Sequence, residues 1–179
     1  QDWTGLGSPS GQTVTAWTKN LGSGGLNLSD GRYRITVRAL DGAAPVPNEK
    51  VSAATAFRID RANPALALNP GGLFQKADFT ITGAASDANT VTAVRAKVGD
   101  ADFSSGTVAY GTTSNAYAAW SLTVPTSGLS GGSHTVYIEA EDGAGRKSLL
   151  TREFSFDGVA PSVFISEPPS ASRVNGLVT

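Results

Sequence analysis

Cysteine and methionine are both missing from the 179 residues, and histidine occurs once, at His134. Without cysteine there can be no disulfides, thiol nucleophiles or zinc–thiolate sites. A single histidine excludes a multi-histidine metal centre and leaves general-base chemistry without a visible partner. An excess of either charge is missing too: 14 basic and 15 acidic residues leave a net charge of -1, with no run of like charges. No nucleic-acid partner is expected, because affinity for phosphates comes from clustered Lys and Arg. No apolar stretch approaches the roughly 20 residues that span a bilayer, and the first residues lack a charged-then-apolar leader pattern. No membrane insertion is expected from this segment. Because the chain also lacks Met at position 1, it is expected to be a mature or excised piece of something longer.

What the sequence does contain is strand signal. Short alternating runs rich in Val, Ile, Thr and Phe are separated by Gly, Pro, Asn and Ser clusters at intervals of about 8 to 12 residues. No segment keeps helical spacing for long. The pattern predicts an all-β fold of antiparallel sandwiches, in which each strand buries one face and wets the other.

An internal repeat sets the frame. Residues 28–44, "LSDGRYRITVRALDGAA", align without a gap to residues 129–145, "LSGGSHTVYIEAEDGAG", with 7 of 17 positions identical. Further on, "FRIDRANPALAL" (57–68) aligns with "FSFDGVAPSVFI" (154–165), sharing the phenylalanine, the aspartate and the proline. The first copy has the longer loop, "DGAAPVPNEKVS", where the second has "DGAGRKS", and Ala-Trp recurs at Trp17 and Trp120. A repeat of about 100 residues has the size of an Ig-like sandwich. The expected boundaries are 1–61 for the C-terminal part of one domain, 62–158 for a complete domain and 159–179 for the opening strands of another. The chain is thus read as tandem Ig-like domains, one complete and flanked by partial copies.

Taken together, "FTITGAASD", a Trp-containing strand, "LSGGSHTVYIEAEDGAG" and "FSFDGVAP" resemble the tandem bacterial Ig-like domains of secreted and cell-surface proteins. That resemblance implies a stalk, spacer, adhesive segment or accessory domain, and an extracellular or cell-surface location. The sequence departs from the commonest pattern of that family at the turn. "LDGAAPVPNEK" stands where an Asp-x-Ala-Gly-Asn-like turn is expected, and Arg146 replaces the Asn in "EDGAGRK".

Within 62–158, strands are expected near 65–68, 77–82, 91–98, 106–110, 117–124, 133–141 and 150–157. Their inward residues would be Phe79, Ile81, Val94, Ala96, Val98, Trp120, Leu122, Val124, Val136, Ile138, Ala140, Phe154 and Phe156. Tyr33 leads the matching strand of the first copy, where its hydroxyl would bond back to the preceding turn as in a tyrosine corner. His134 takes the same slot in the second copy.

Several constellations invite a chemical reading. Gly128-Leu129-Ser130-Gly131-Gly132 matches a Gly-x-Ser-x-Gly nucleophile pattern, with His134 two residues on. A nucleophile elbow needs a helix after the serine, whereas here a strand follows and the glycines serve a turn. No catalytic residue is assigned, and the chain is not expected to be an enzyme. Trp3, Trp17 and Trp120 suggest a sugar platform, but the last two recur at one repeat position, as core residues do. The acidic corner has geometric logic. In an Ig-like sandwich the loop holding Asp87, the corner of Glu141 and Asp142, and the linker holding Asp60 and Asn63 gather at one end. Carboxylates converging there suit a hard cation such as calcium, and Asp-Gly turn chemistry without a metal is the alternative. Calcium is the one cofactor considered. The expected function is a structural or adhesive spacer repeat of an exported bacterial protein, with neighbouring Ig-like domains as partners and a surface protein or glycan as further candidates. The alternative is an accessory carbohydrate- or protein-binding module of a secreted hydrolase.

Overall fold

The computed structural model describes residues 18–20 and 24–164. Trp3, Trp17 and the expected strands after 164 lie outside the described residues. Thirteen strands and no helix occur among those described. The first four are short: β1 (Gly31–Ile35), β2 (Arg38–Leu40), β3 (Glu49–Val51) and β4 (Thr55–Ile59). They pair as β1 with β4 and β2 with β3, forming one long hairpin interrupted near Val37, where the Ser52 hydroxyl takes the Val37 amide at 2.9 Å.

The remaining strands build two larger sheets. In chain order they are β5 (Ala65–Leu68), β6 (Phe74–Gln75), β7 (Phe79–Ser86), β8 (Val91–Val98), β9 (Ala109–Tyr110), β10 (Thr112–Thr113), β11 (Trp120–Val124), β12 (Gly132–Asp142) and β13 (Lys147–Phe156). One sheet has the order β10-β11-β7-β5 and the other β6-β13-β12-β8-β9. All pairings are antiparallel except β6 with β13, which is parallel and departs from the purely antiparallel expectation.

Period-two alternation explains the core. In β12, Val136, Ile138 and Ala140 are fully buried while their neighbours face out, because successive strand side chains point to opposite faces. Val94, Ala96 and Phe154 from the same sheet meet Ile81, Trp120, Leu122 and Val124 from the other in one apolar cluster. Phe79, Val98 and Phe156 pack against its edge, so every residue expected to face inward contributes. Val91 and Ala85 are buried as well, although neither was expected.

Ala85 was missed because β7 runs four residues past its expected end, through Gly83. A Cβ at Gly83 would sit 2.1 Å from the Ala67 carbonyl and 2.5 Å from the Trp120 ring. That glycine therefore lets the indole lie flat on the strand, a reason for glycine that turn statistics do not reveal. The expected strand 117–124 starts only at Trp120. Thr113 Oγ1 accepts the Tyr117 amide at 2.9 Å and Asn115 Oδ1 the Ala119 amide at 2.9 Å, and such local bonds compete with sheet pairing.

Candidate cation site at the linker

The acidic corner follows directly from the β12 alternation. Continuing Val136, Ile138 and Ala140 inward by one more step brings Asp142 onto the buried face, at 2% exposure. The same rule turns Glu141 outward, and its carboxylate pairs with Arg95 at 3.1 Å and Lys147 at 3.6 Å. Glu141 was expected among the ligands, but its side chain belongs to this outer-face network with Glu139, and the alternation of the strand is the reason. Where Asp142 pairs with Val91, β8 carries one extra residue, Thr92, whose hydroxyl donates to the Glu141 carbonyl at 3.1 Å.

Asp142 Oδ1 closes the turn that follows, accepting the Ala144 amide at 2.7 Å and the Arg146 amide at 2.8 Å. Its Oδ2 is buried and has no hydrogen-bond partner. Asp60, at the end of β4, has a side chain only 5% exposed. Its Oδ1 accepts the Ala62 amide at 3.2 Å, and its Oδ2 is likewise buried without a partner. The nearest cation is Arg58, with Nε 4.0 Å from that oxygen, too far for a hydrogen bond. Asp87 stands in the loop between β7 and β8, its Oδ1 accepting the Asn89 amide at 2.6 Å. That loop is held against the β12–β13 turn by the Gly143 amide, which donates to Thr90 O at 2.9 Å. A Cβ on Gly143 would lie 2.8 Å from the Asn89 carbonyl, so the close approach of the two loops requires glycine there.

One carboxylate oxygen each from Asp60, Asp87 and Asp142 lies within 4.8 Å of the other two. Asn63, also expected nearby, is exposed. Like charges brought this close repel one another. Three converging carboxylates, two of them with bare buried oxygens, form an oxygen-only donor set of the kind that hard divalent cations take.

The linker itself is pinned from both sides. Arg61 donates from Nη1 to Asp30 Oδ1 at 2.8 Å and from Nη2 to the Leu28 carbonyl at 2.9 Å, holding the linker to the turn before β1. From the other side the Arg146 guanidinium donates to the Arg61 carbonyl, and Ser148 Oγ donates to the Pro64 carbonyl at 2.6 Å. Neither the 31-residue separation of Arg61 from Asp30 nor the reach of Arg146 leaves a signal in the sequence.

In the serine pattern the histidine contacts the backbone. His134 Nε2 lies 2.8 Å from the Ser130 carbonyl oxygen, so the ring is bonded to the backbone. Trp120 is 3% exposed and Tyr117 packs half-buried against the core, whereas Tyr110 is exposed.

Residues 68–138 match the family model described as bacterial Ig domain, and the chain contains a bacterial Ig-like domain. No curated protein matches the chain. Among solved structures, the endo-beta-1,4-mannanase from Thermotoga petrophila is similar at a TM-score of 0.41 and 16% identity, over 56% of this chain. The match spans 21% of the mannanase chain.

Proposed function

We propose that the chain is a structural or adhesive spacer of an exported bacterial surface or secreted protein, built from tandem Ig-like sandwiches and without catalytic activity of its own. The observation that carries this reading is the linker clasp. A spacer must transmit orientation from one domain to the next, and a flexible connection cannot. Here Arg61, Arg146 and Ser148 tie the linker to the elements before and after it, and Pro64, whose side chain is fully buried, fixes its own φ and keeps the preceding residue extended.

Support for a tandem array comes from the equivalence of the β1/β4 and β12/β13 hairpins. Tyr33 pairs with Phe57 and His134 with Phe154 at the same point of each ladder, and both ring pairs have centroids 5.6 Å apart. Both leading side chains bond to the carbonyl four residues back, Tyr33 to Ser29 at 2.7 Å and His134 to Ser130 at 2.8 Å.

The absence of cysteine makes the test simple, since an Ala39→Cys, Ser127→Cys pair can be spin-labelled at those two positions alone. Pulsed EPR is expected to give one narrow distance distribution. A broad distribution would overturn the spacer reading, and a broad distribution together with saturable binding on a glycan array would favour the accessory carbohydrate-binding module.

A further inference from the structure

We propose that Asp60, Asp87 and Asp142 bind one calcium-class divalent cation, which locks the 60–64 linker against the two loops at the adjacent end of the Ig-like domain. The proposal does not depend on the spacer reading; it needs only the linker seated as observed.

Three features carry it. The first is spacing. Oxygens bound to one calcium at about 2.4 Å can be no more than about 4.8 Å apart, and the three carboxylates offer oxygens within 4.8 Å of one another. The second is the pair of unpartnered atoms. Asp142 Oδ2 and Asp60 Oδ2 are buried and accept no hydrogen bond, the latter with only the Arg58 guanidinium 4.0 Å away, although buried carboxylate oxygens ordinarily find donors.

The third is a contrast with the equivalent position in the first hairpin. Asp41 occupies the place of Asp142 and caps its turn in the same way, its Oδ1 accepting the Ala43 amide at 3.0 Å and the Asn48 amide at 2.8 Å. Its Oδ2, however, accepts Asn48 Nδ2 at 2.6 Å. Arg146 stands where Asn48 does, and its guanidinium points to the Arg61 carbonyl, leaving Asp142 Oδ2 buried without a donor. The turn that meets two further carboxylates is therefore the one that lacks an internal donor.

Calcium fits better than magnesium, because calcium accepts six to eight oxygens in irregular geometry, whereas magnesium demands a tight octahedron and retains water. Further oxygens would come from backbone carbonyls and water.

The test is calorimetric titration of CaCl2 into the metal-stripped chain, with melting curves in calcium and in EDTA. Saturable one-to-one binding is expected, and calcium at a hundredfold excess over Kd should raise Tm by roughly 10 °C. Asp142→Asn retains the Oδ1 acceptor of the turn, so it should fold. It should lose at least tenfold in affinity and melt above the wild type in EDTA, because a repelling charge is gone. Asp60→Asn should lose affinity similarly, and Glu141→Gln should not. No saturable heat with equal melting in calcium and EDTA would overturn the proposal. So would wild-type affinity in both Asn variants, or an equal response to magnesium. Narrow spin-label distances in EDTA with no calcium binding would retain the spacer and reject the cation, while calcium binding with distances that stay broad would reject both the spacer and the locking of the linker.

Discussion

The β1/β4 and β12/β13 hairpins are built on the same ladder and have very different surroundings. In the second, Phe154 is 2% exposed and its strand lines a core shared by two sheets. In the first, no described residue before Pro64 is buried as a whole, although the Asp60 side chain is. Shared register and turn chemistry thus do not depend on burial: the ring pair, the back-bond to the carbonyl and the aspartate cap recur in both. What burial changes is what a side chain is worth. Phe154→Ala should therefore have the largest effect, lowering the stability of the Ig-like domain by about 3–5 kcal/mol in denaturant unfolding. Phe57→Ala, its equivalent, should change that transition by about 1 kcal/mol or less. Similar losses from the two would show that the domain and the first hairpin unfold as one unit.

The turns allow a finer comparison, because they differ at one informative position. Arg146→Asn should give Asp142 Oδ2 the side-chain donor that Asn48 gives Asp41, while removing the donor to the Arg61 carbonyl. The expected outcome is a domain at least as stable in EDTA, within about 1 kcal/mol, with its calcium response reduced and the spin-label distances broadened. If Arg146→Asn leaves the label distances as narrow as in the parent, the arginine is not what fastens the linker.

The sequence predicted the core better than the site's boundary. Every residue expected to face inward does so because strict alternation leaves little freedom once one residue of a strand is placed. That same alternation, carried one step further from Ala140, separates Asp142 from Glu141, so the signal that removes Glu141 from the cluster was present in the residues. Other features were not legible. Gly83 resembles a turn glycine until the Trp120 ring is placed against it, and the bulge at Thr92 is a matter of partner register. The meeting of Asp60, Asp87 and Asp142 was readable because chain topology alone gathers those three loops. The Arg61 clamp was not, because it depends on side-chain reach across 31 residues.

Acid provides the mildest way to separate the two regions. Asp78 accepts the Thr126 amide at 2.7 Å and the Thr126 hydroxyl at 2.9 Å, and those bonds, the amide's foremost, hold its carboxyl below the usual value of 3.8. Asp41 is held low as well, first by the Asn48 side chain and then by the amides of its turn. A group whose folded pKa is depressed contributes its stability above the unfolded value and loses it as pH falls through the folded one. Melting of the Ig-like domain should therefore change little with these groups above about pH 5 and decline below about pH 4. Asp78→Asn keeps an oxygen acceptor for Thr126 and removes the titrating group, so it should make that acid decline shallower, the remainder staying with Asp100 and Asp102, which are held low as well. Asp41→Asn should leave the decline as steep as in the parent, because its bonds all lie within the first hairpin. If Asp41→Asn flattens it equally, the two regions are thermodynamically coupled through the linker although the described residues form no shared core.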